Sequence, residues 1–208
     1  MVRTDAHADL VELSRHTSVS VINSLTDLLH PCQGLTDYFT LAEKKGSLKG
    51  KKIAYVGDGN NMCHSLLYGA TRVGMDIAVA TPPGYKSKSI IVKSANWEAS
   101  TAEVTILLTQ DLVAAVQGSD AVYTDTWVSM GLEEESAIRQ QVLADDRVTK
   151  KLMSKAKPDA LFMHCLPAQR GSEVAADFID GLQSVVGDQT ENRLPVEQAI
   201  LYLLMKAF

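Results

Sequence analysis

Long apolar runs are missing from this 208-residue chain. No stretch approaches the ~18 residues that a membrane-spanning helix needs. The N-terminus lacks the basic, apolar and small-residue pattern of a secretory leader. Cysteine is scarce: there are three, an odd number spaced far apart. That usage argues against a disulfide framework and fits free thiols in a reducing compartment, so the expected location is cytoplasmic. There is no CxxC pair and no His/Cys cluster at zinc spacing, so no metal is expected. A basic excess is lacking too. The formal net charge is −5, which gives no reason to expect nucleic acid or an anionic membrane as partner. Internal repeats and low-complexity segments are absent.

What remains is an ordinary globular composition, 46% hydrophobic and 22% charged, with enough apolar surface for a sizeable core. The length suits one domain, or one domain plus part of another. A short helix is expected over Asp9–His16, a small strand over Val19–Asn23, and a helix opening at His30-Pro31 with Leu35, Tyr38, Phe39 and Leu41 on its apolar face. The polar stretch Glu43–Gly50 reads as a connector. From Lys51 strands and helices alternate. Strands are expected at Lys52–Val56, Asp76–Ala80, Val104–Leu108, Ala121–Thr124 and Asp159–Met163, with a further short one at Ser184–Val186. Helices are expected over Met62–Val73, Ile90–Ala99, Leu112–Val116, Glu133–Ala144, Thr149–Lys155 and Leu194–Ala207. This rhythm predicts an α/β fold: a doubly wound, mostly parallel sheet with helices on both faces.

Five segments carry chemistry. His164-Cys165-Leu166-Pro167 follows a strand, so a thiol and an imidazole sit where ligands bind in an open α/β sheet. Cys165 reads equally as a buried, inert thiol. Asp125-Thr126-Trp127-Val128-Ser129-Met130-Gly131 follows another strand; Asp125 suits a cationic amine, or simply a turn. Gly57-Asp58-Gly59-Asn60-Asn61 lies between strand and helix, like a dinucleotide fingerprint, but Met62 stands where the third glycine belongs. Its asparagines suit a substrate carboxylate at a helix N-terminus, or plain N-capping. His30 and Gln33 lie one helical turn apart and share a face. Arg3 and Arg193 are candidate anion binders, although surface arginine is common.

Taken together the segments resemble ornithine carbamoyltransferases of the aspartate/ornithine carbamoyltransferase superfamily. The resemblance runs from Val2 to about Lys206. His-Pro-Cys-Gln at 30–33, Gly-Asp-Gly-Asn-Asn at 57–61, Asp-Thr-Trp-Val-Ser-Met-Gly at 125–131, His-Cys-Leu-Pro at 164–167 and Glu-Asn-Arg at 191–193 stand in the family's order. Ser-Met-Gly is similar to the ornithine-specific loop. The resemblance implies that Arg3, His30, Gln33, Cys165, Leu166 and Arg193 bind carbamoyl phosphate. It implies that Asn61 and the Met130 backbone hold the α-carboxylate of ornithine, while Asp125 and Ser129 hold its α-amino group. Arg3 and His30 are then oxyanion donors, and Cys165 receives or orients the amine proton. The implied reaction gives citrulline and phosphate, with those two small-molecule substrates and no cofactor.

The family's Ser-Thr-Arg-Thr phosphate motif is absent. On the resemblance, residues 1–42 are expected to be the C-terminal remnant of a carbamoyl-phosphate domain and 51–193 the ornithine-binding domain. Residues 194–208 are expected as a helix packing back on the N-terminal segment. Full-length members form homotrimers largely through the first domain, which leaves the assembly of this chain open. Residues 1–208 by themselves are expected to turn over negligibly. Two other readings remain: a non-catalytic ornithine-binding or complementing fragment, and a nicotinamide-dependent oxidoreductase. The last leaves four of the five segments unexplained.

Overall fold

The computed structural model describes residues 1–128 and 133–206. Two short strands, β1 (Val2–Arg3) and β2 (Asn23–Leu25), pair in parallel around helix α1 (His7–Arg15). β2 lies C-terminal to the expected Val19–Asn23. Its place is set by its partner: Val2 N–H donates to Ile22 O at 2.9 Å and Thr4 N–H to Leu25 O at 3.1 Å. Val19 is left exposed. Helix α2 (Pro31–Lys45) starts with Pro31 in its first turn, where a missing N–H costs nothing, and stops at Gly46 with φ 71°.

The main sheet follows the expected alternation. Its strands are β3 (Lys52–Val56), β4 (Asp76–Ala80), β5 (Ile106–Thr109), β6 (Ala121–Thr124) and β7 (Leu161–His164). Between them run α3 (Asn61–Val73), α4 (Ser89–Ala102), α5 (Leu112–Val116), α6 (Ser136–Val142) and α7 (Lys150–Met153), and α8 (Val186–Lys206) ends the chain. Helix α3 shows the local logic. The Asn60 side chain accepts from the Met62 and Cys63 N–H groups, Met62, Cys63, Leu66, Leu67 and Ala70 form a buried stripe, and Gly74 closes the helix in the left-handed conformation.

All five strands are parallel, in the order β5-β4-β3-β6-β7. Side chains alternate between two cores, as period 2 requires. Ile53, Tyr55, Ile77, Val79, Tyr123 and Met163 face α2, α3 and α4; Ala54, Val56, Val122 and Phe162 face α5, α7 and the Phe178–Ile179 segment. The chain winds outward from β3 to β5, then returns to place β6 on the other side of β3. The C-terminal ends of β3 and β6 therefore flank the topological switch point, where a doubly wound sheet leaves an open crevice.

Three further expectations shift. Ser184 makes only a single bridge to Phe162, and the chain turns at once into α8, which begins at Val186 instead of Leu194. Pro195, which reads as a first-turn residue, lies inside this helix. The early start is driven by packing: Val185 and Gln189 are buried against the sheet and α2. The helices expected over Glu133–Ala144 and Thr149–Lys155 are shorter, with 3-10 turns at Glu133–Glu135 and Ala144–Asp146. Helix α8 packs along α2, with Asn192 Nδ2 donating to Thr40 Oγ1 at 3.1 Å and Lys44 paired with Asp188.

Candidate active site

Three side chains from three strand ends meet at the switch point. Asp125 follows β6 and is buried. Its Oδ1 accepts from the Cys165 thiol at 2.9 Å and from the Thr126 N–H at 2.7 Å, and its Oδ2 accepts from Asn60 Nδ2 at 2.7 Å. Cys165 follows β7; Asn60 follows β3. Burial and the Asp125 carboxylate push the Cys165 thiol well above its ordinary range. The thiol thus keeps its proton and serves as a donor. That favours orienting Asp125 over accepting a proton from an amine.

The expected Asn61 is one residue off this cluster. Its Nδ2 donates to Thr26 O at 2.7 Å, tying α3 to the turn after β2, and its neighbour Asn60 makes the link to Asp125. Asn60 also caps α3, so the capping and ligand-facing readings of this loop fall on the same residue. The Gly-x-Gly pattern has a packing cause. A Cβ on Gly59 would lie 2.2 Å from Ser87 N and 2.7 Å from Tyr85 O. The loop at 85–87 packs directly against the Gly59 backbone. Asp58 is pinned by Arg139 at 2.6 Å, whose guanidinium stacks over Tyr85 at 5.1 Å.

A second group lies on the α2 side. His30 stands just before α2, buried, with its N–H donating to Ser65 Oγ at 2.7 Å. Burial, with the charges of Arg193 and Arg3, lowers its pKa to about 4. Asp125 acts on it in the opposite sense, so the two groups share one electrostatic neighbourhood. His30 is neutral near pH 7, and its Nδ1 has no partner among the described residues. Arg193 on α8 pairs with Glu197 at 3.0 Å. Gln33, 1% exposed, donates from Nε2 to Asp37 at 2.8 Å, while its Oε1 is buried and without a partner among the described residues. Leu166, half exposed, adopts φ 59°, uncommon for a bulky residue. Its N–H donates to His164 Nδ1 at 2.8 Å. Ser129 and Met130, expected to touch ornithine, lie outside the described residues.

Asp125, His164 and Cys165 place one possible metal ligand each within 4.8 Å of one another. The set does not fit a metal well. Its donors are already engaged within the chain: the Cys165 thiol donates to Asp125, and His164 Nδ1 accepts from the Leu166 N–H.

Residues around this group that the sequence reading did not single out are Asp37, Gln189 and Arg139. The Gln33–Asp37 pair had a signal, since glutamine and aspartate four apart on a helix are neighbours. Gln189 and Arg139 had none, because their partners are far away in sequence.

Family models match nearly the whole chain. "Aspartate/ornithine carbamoyltransferase, carbamoyl-P binding domain" covers residues 1–43, and "Aspartate/ornithine carbamoyltransferase, Asp/Orn binding domain" covers 49–204. An ornithine carbamoyltransferase from Carboxydothermus hydrogenoformans is 52% identical over 99% of this chain and 66% of its own length. An anabolic one from Pyrococcus furiosus is 48% identical over 99% of this chain and 65% of its own. The solved Pyrococcus furiosus ornithine carbamoyltransferase superposes with a TM-score of 0.95 at 47% identity, over 99% of this chain and 66% of that one. Ornithine transcarbamoylase from Giardia lamblia gives 0.90 at 31% identity, over 97% of this chain and 68% of that one. The chain thus spans about two thirds of the length of the relatives it matches, 66% and 65% of these two curated ones.

Proposed function

The chain belongs to the aspartate/ornithine carbamoyltransferase family, and from that premise we propose that it carries the carbamoyl-transfer centre of an ornithine carbamoyltransferase. Residues 1–42 contribute to the carbamoyl-phosphate side and 51–193 to the ornithine side, with α8 spanning from one to the other. The observation that carries this reading is the Asn60–Asp125–Cys165 chain across three strand ends at the switch point, electrostatically coupled to His30, Arg3 and Arg193.

The two halves suit two substrates. Carbamoyl phosphate is an anion with a carbonyl and a primary amide. Arg3 and Arg193 supply positive charge; neutral His30 offers a ring donor to the carbonyl oxygen, and Gln33 Oε1 an acceptor to the amide. Leu166, held in its left-handed conformation beyond β7, lines the same centre. Ornithine carries two amines and a carboxylate. Asp125 and Ser129 receive its α-ammonium group, and Asn61 and the Met130 backbone receive its carboxylate.

In the reaction the neutral side-chain amine attacks the carbonyl carbon. A C–N bond forms, negative charge builds on the carbonyl oxygen, and the C–O bond to phosphate breaks. The amine's proton leaves with the phosphate, because the Cys165 thiol is already protonated and cannot take it. Donors aimed at the developing oxyanion contribute ~3 kcal/mol each in comparable sites. Holding the two substrates in line supplies much of the rest.

The test is direct. The protein as its organism makes it should convert carbamoyl phosphate and ornithine into citrulline and phosphate in equal amounts. Phosphate release without citrulline would contradict the reading.

A further inference from the structure

One buried carboxylate bonded to the centre described so far has been given no role in it. Asp37 on α2 is 0% exposed. Its Oδ1 accepts from Gln33 Nε2 at 2.8 Å and Gln189 Nε2 at 2.7 Å, and its Oδ2 accepts from the Tyr123 hydroxyl at 2.9 Å. None of these partners is a cation. A carboxylate this deeply buried is ordinarily ion-paired, and apolar residues of similar volume pack as well at less cost. Packing alone therefore does not explain an aspartate here.

Its partners suggest what it does. The two ends of a glutamine amide are nearly equal in shape but opposite in hydrogen-bonding sense. A carboxylate only accepts, so Gln33 must turn its NH2 to Asp37 and its oxygen away. That oxygen is buried and has no partner among the described residues. A buried, unpaired acceptor is costly unless something fills it. It matches a primary amide donor. The second glutamine extends the arrangement: Gln189 Oε1 accepts from the His164 N–H at 3.1 Å, at the end of the strand that presents Cys165. Gln189 also faces a carboxylate with its NH2, so its oxygen is free for that backbone group.

We propose that Asp37 is a positioning residue for carbamoyl transfer. It fixes the Gln33 amide with its oxygen toward the carbamoyl NH2, and through Gln189 it holds the Cys165 strand end in register with α2. The inference rests on the proposed carbamoyl-transfer function. It predicts a dependence that a merely structural residue lacks: the orientation of one amide, felt by one substrate.

The experiment uses Asp37→Leu and Asp37→Asn in the protein as its organism makes it. In Asp37→Leu the Gln33 amide is free to turn. The KM for carbamoyl phosphate should rise by about tenfold or more, and that for ornithine by less than about threefold. Asp37→Asn should recover most of this loss. Its carbonyl oxygen takes the two glutamine donors, and its NH2 faces the Tyr123 hydroxyl, which turns to accept. A structural role would lower kcat through a smaller folded fraction and leave both KM values unmoved. Unmoved KM values, or an Asn variant as impaired as the Leu variant, would overturn the proposal. A second measurement needs no substrate. The side-chain amide signals that Gln33→Leu removes from a 15N spectrum should exchange slowly in the wild type and quickly in Asp37→Leu. If the wild type forms no citrulline, the functional reading fails and this exchange alone decides. Rapid exchange in the wild type would then refute the positioning role.

Discussion

On the proposed reading the chemistry turns on Cys165 and Asp125, whose side chains meet at 2.9 Å. The thiol holds its proton and donates it to the carboxylate proposed to face the α-ammonium group of ornithine. Cys165→Ala removes that donor and should lower kcat by roughly ten- to a hundredfold. Cys165→Ser keeps a donor and should lose less. Asp125→Asn should instead raise the ornithine KM strongly, since it removes the charge opposite the α-ammonium group. Steady-state kinetics separate the three; equal kcat losses for Ala and Ser would show that donation is not what matters. A second residue-scale consequence concerns pH. The pKa of His30 is lowered from 6.5 to about 4, so its contribution to stability is present above 6.5 and lost as pH falls through 4. Burial raises that of Asp37 from 3.8 to about 6, so its contribution is present below 3.8 and lost as pH rises through 6. The two oppose each other between about pH 4 and 6. Asp37→Asn removes one of them. Its unfolding free energy should therefore climb more steeply with pH across that window than the wild type's, as denaturant titrations at several pH values would show. Identical slopes would mean that Asp37 does not titrate there. Cys165, Asp125 and His30 were legible in the sequence because their residue types and neighbours were unusual. Asp37 was not, because a charged residue on an amphipathic helix ordinarily faces solvent.

Among the elements, α8 departs most from its sequence pattern. Its first turns, Val186–Leu194, are polar and contain Gly187, which reads as loop, and Pro195 reads as a start. Tertiary contact overrides both signals: Gln189 is 1% exposed and bonded to α2 on one side and to the end of β7 on the other. Gln189→Leu leaves the His164 N–H unpaired and Asp37 with one donor fewer. It should cost ~2–4 kcal/mol, measurable as a fall in the denaturation midpoint. A change below about 0.5 kcal/mol, the range of ordinary surface substitutions, would show that the helix is held by its other contacts alone. The strands and α3 were legible for the opposite reason. Lys52–Val56 and Asp76–Ala80 carry continuous apolar runs and Asn61–Val73 has a helical pattern, bounded by Gly57, Gly74 and Pro82, so local and tertiary signals agree. β2 was misplaced because so short a strand takes its register from its partner.

At the scale of the whole molecule, the candidate site lies where the winding reverses. Strand alternation in the sequence predicted a parallel sheet. It did not predict that β3 and β6 are neighbours, because strand order depends on contacts between distant segments. That adjacency gathers Asn60, Asp125 and Cys165 into one crevice and turns the sequence's separate candidates into a site. His30 shares an electrostatic neighbourhood with Asp125, Arg193 and Arg3, the group proposed to take carbamoyl phosphate. The central claim is that this crevice directs a carbamoyl group to ornithine. The most direct measurement offers the protein, as its organism makes it, carbon-labelled carbamoyl phosphate with ornithine and aspartate at equal concentration. The expected result is label in citrulline and essentially none in carbamoyl-aspartate. Label in carbamoyl-aspartate, or in neither product while ornithine still binds, would contradict the claim.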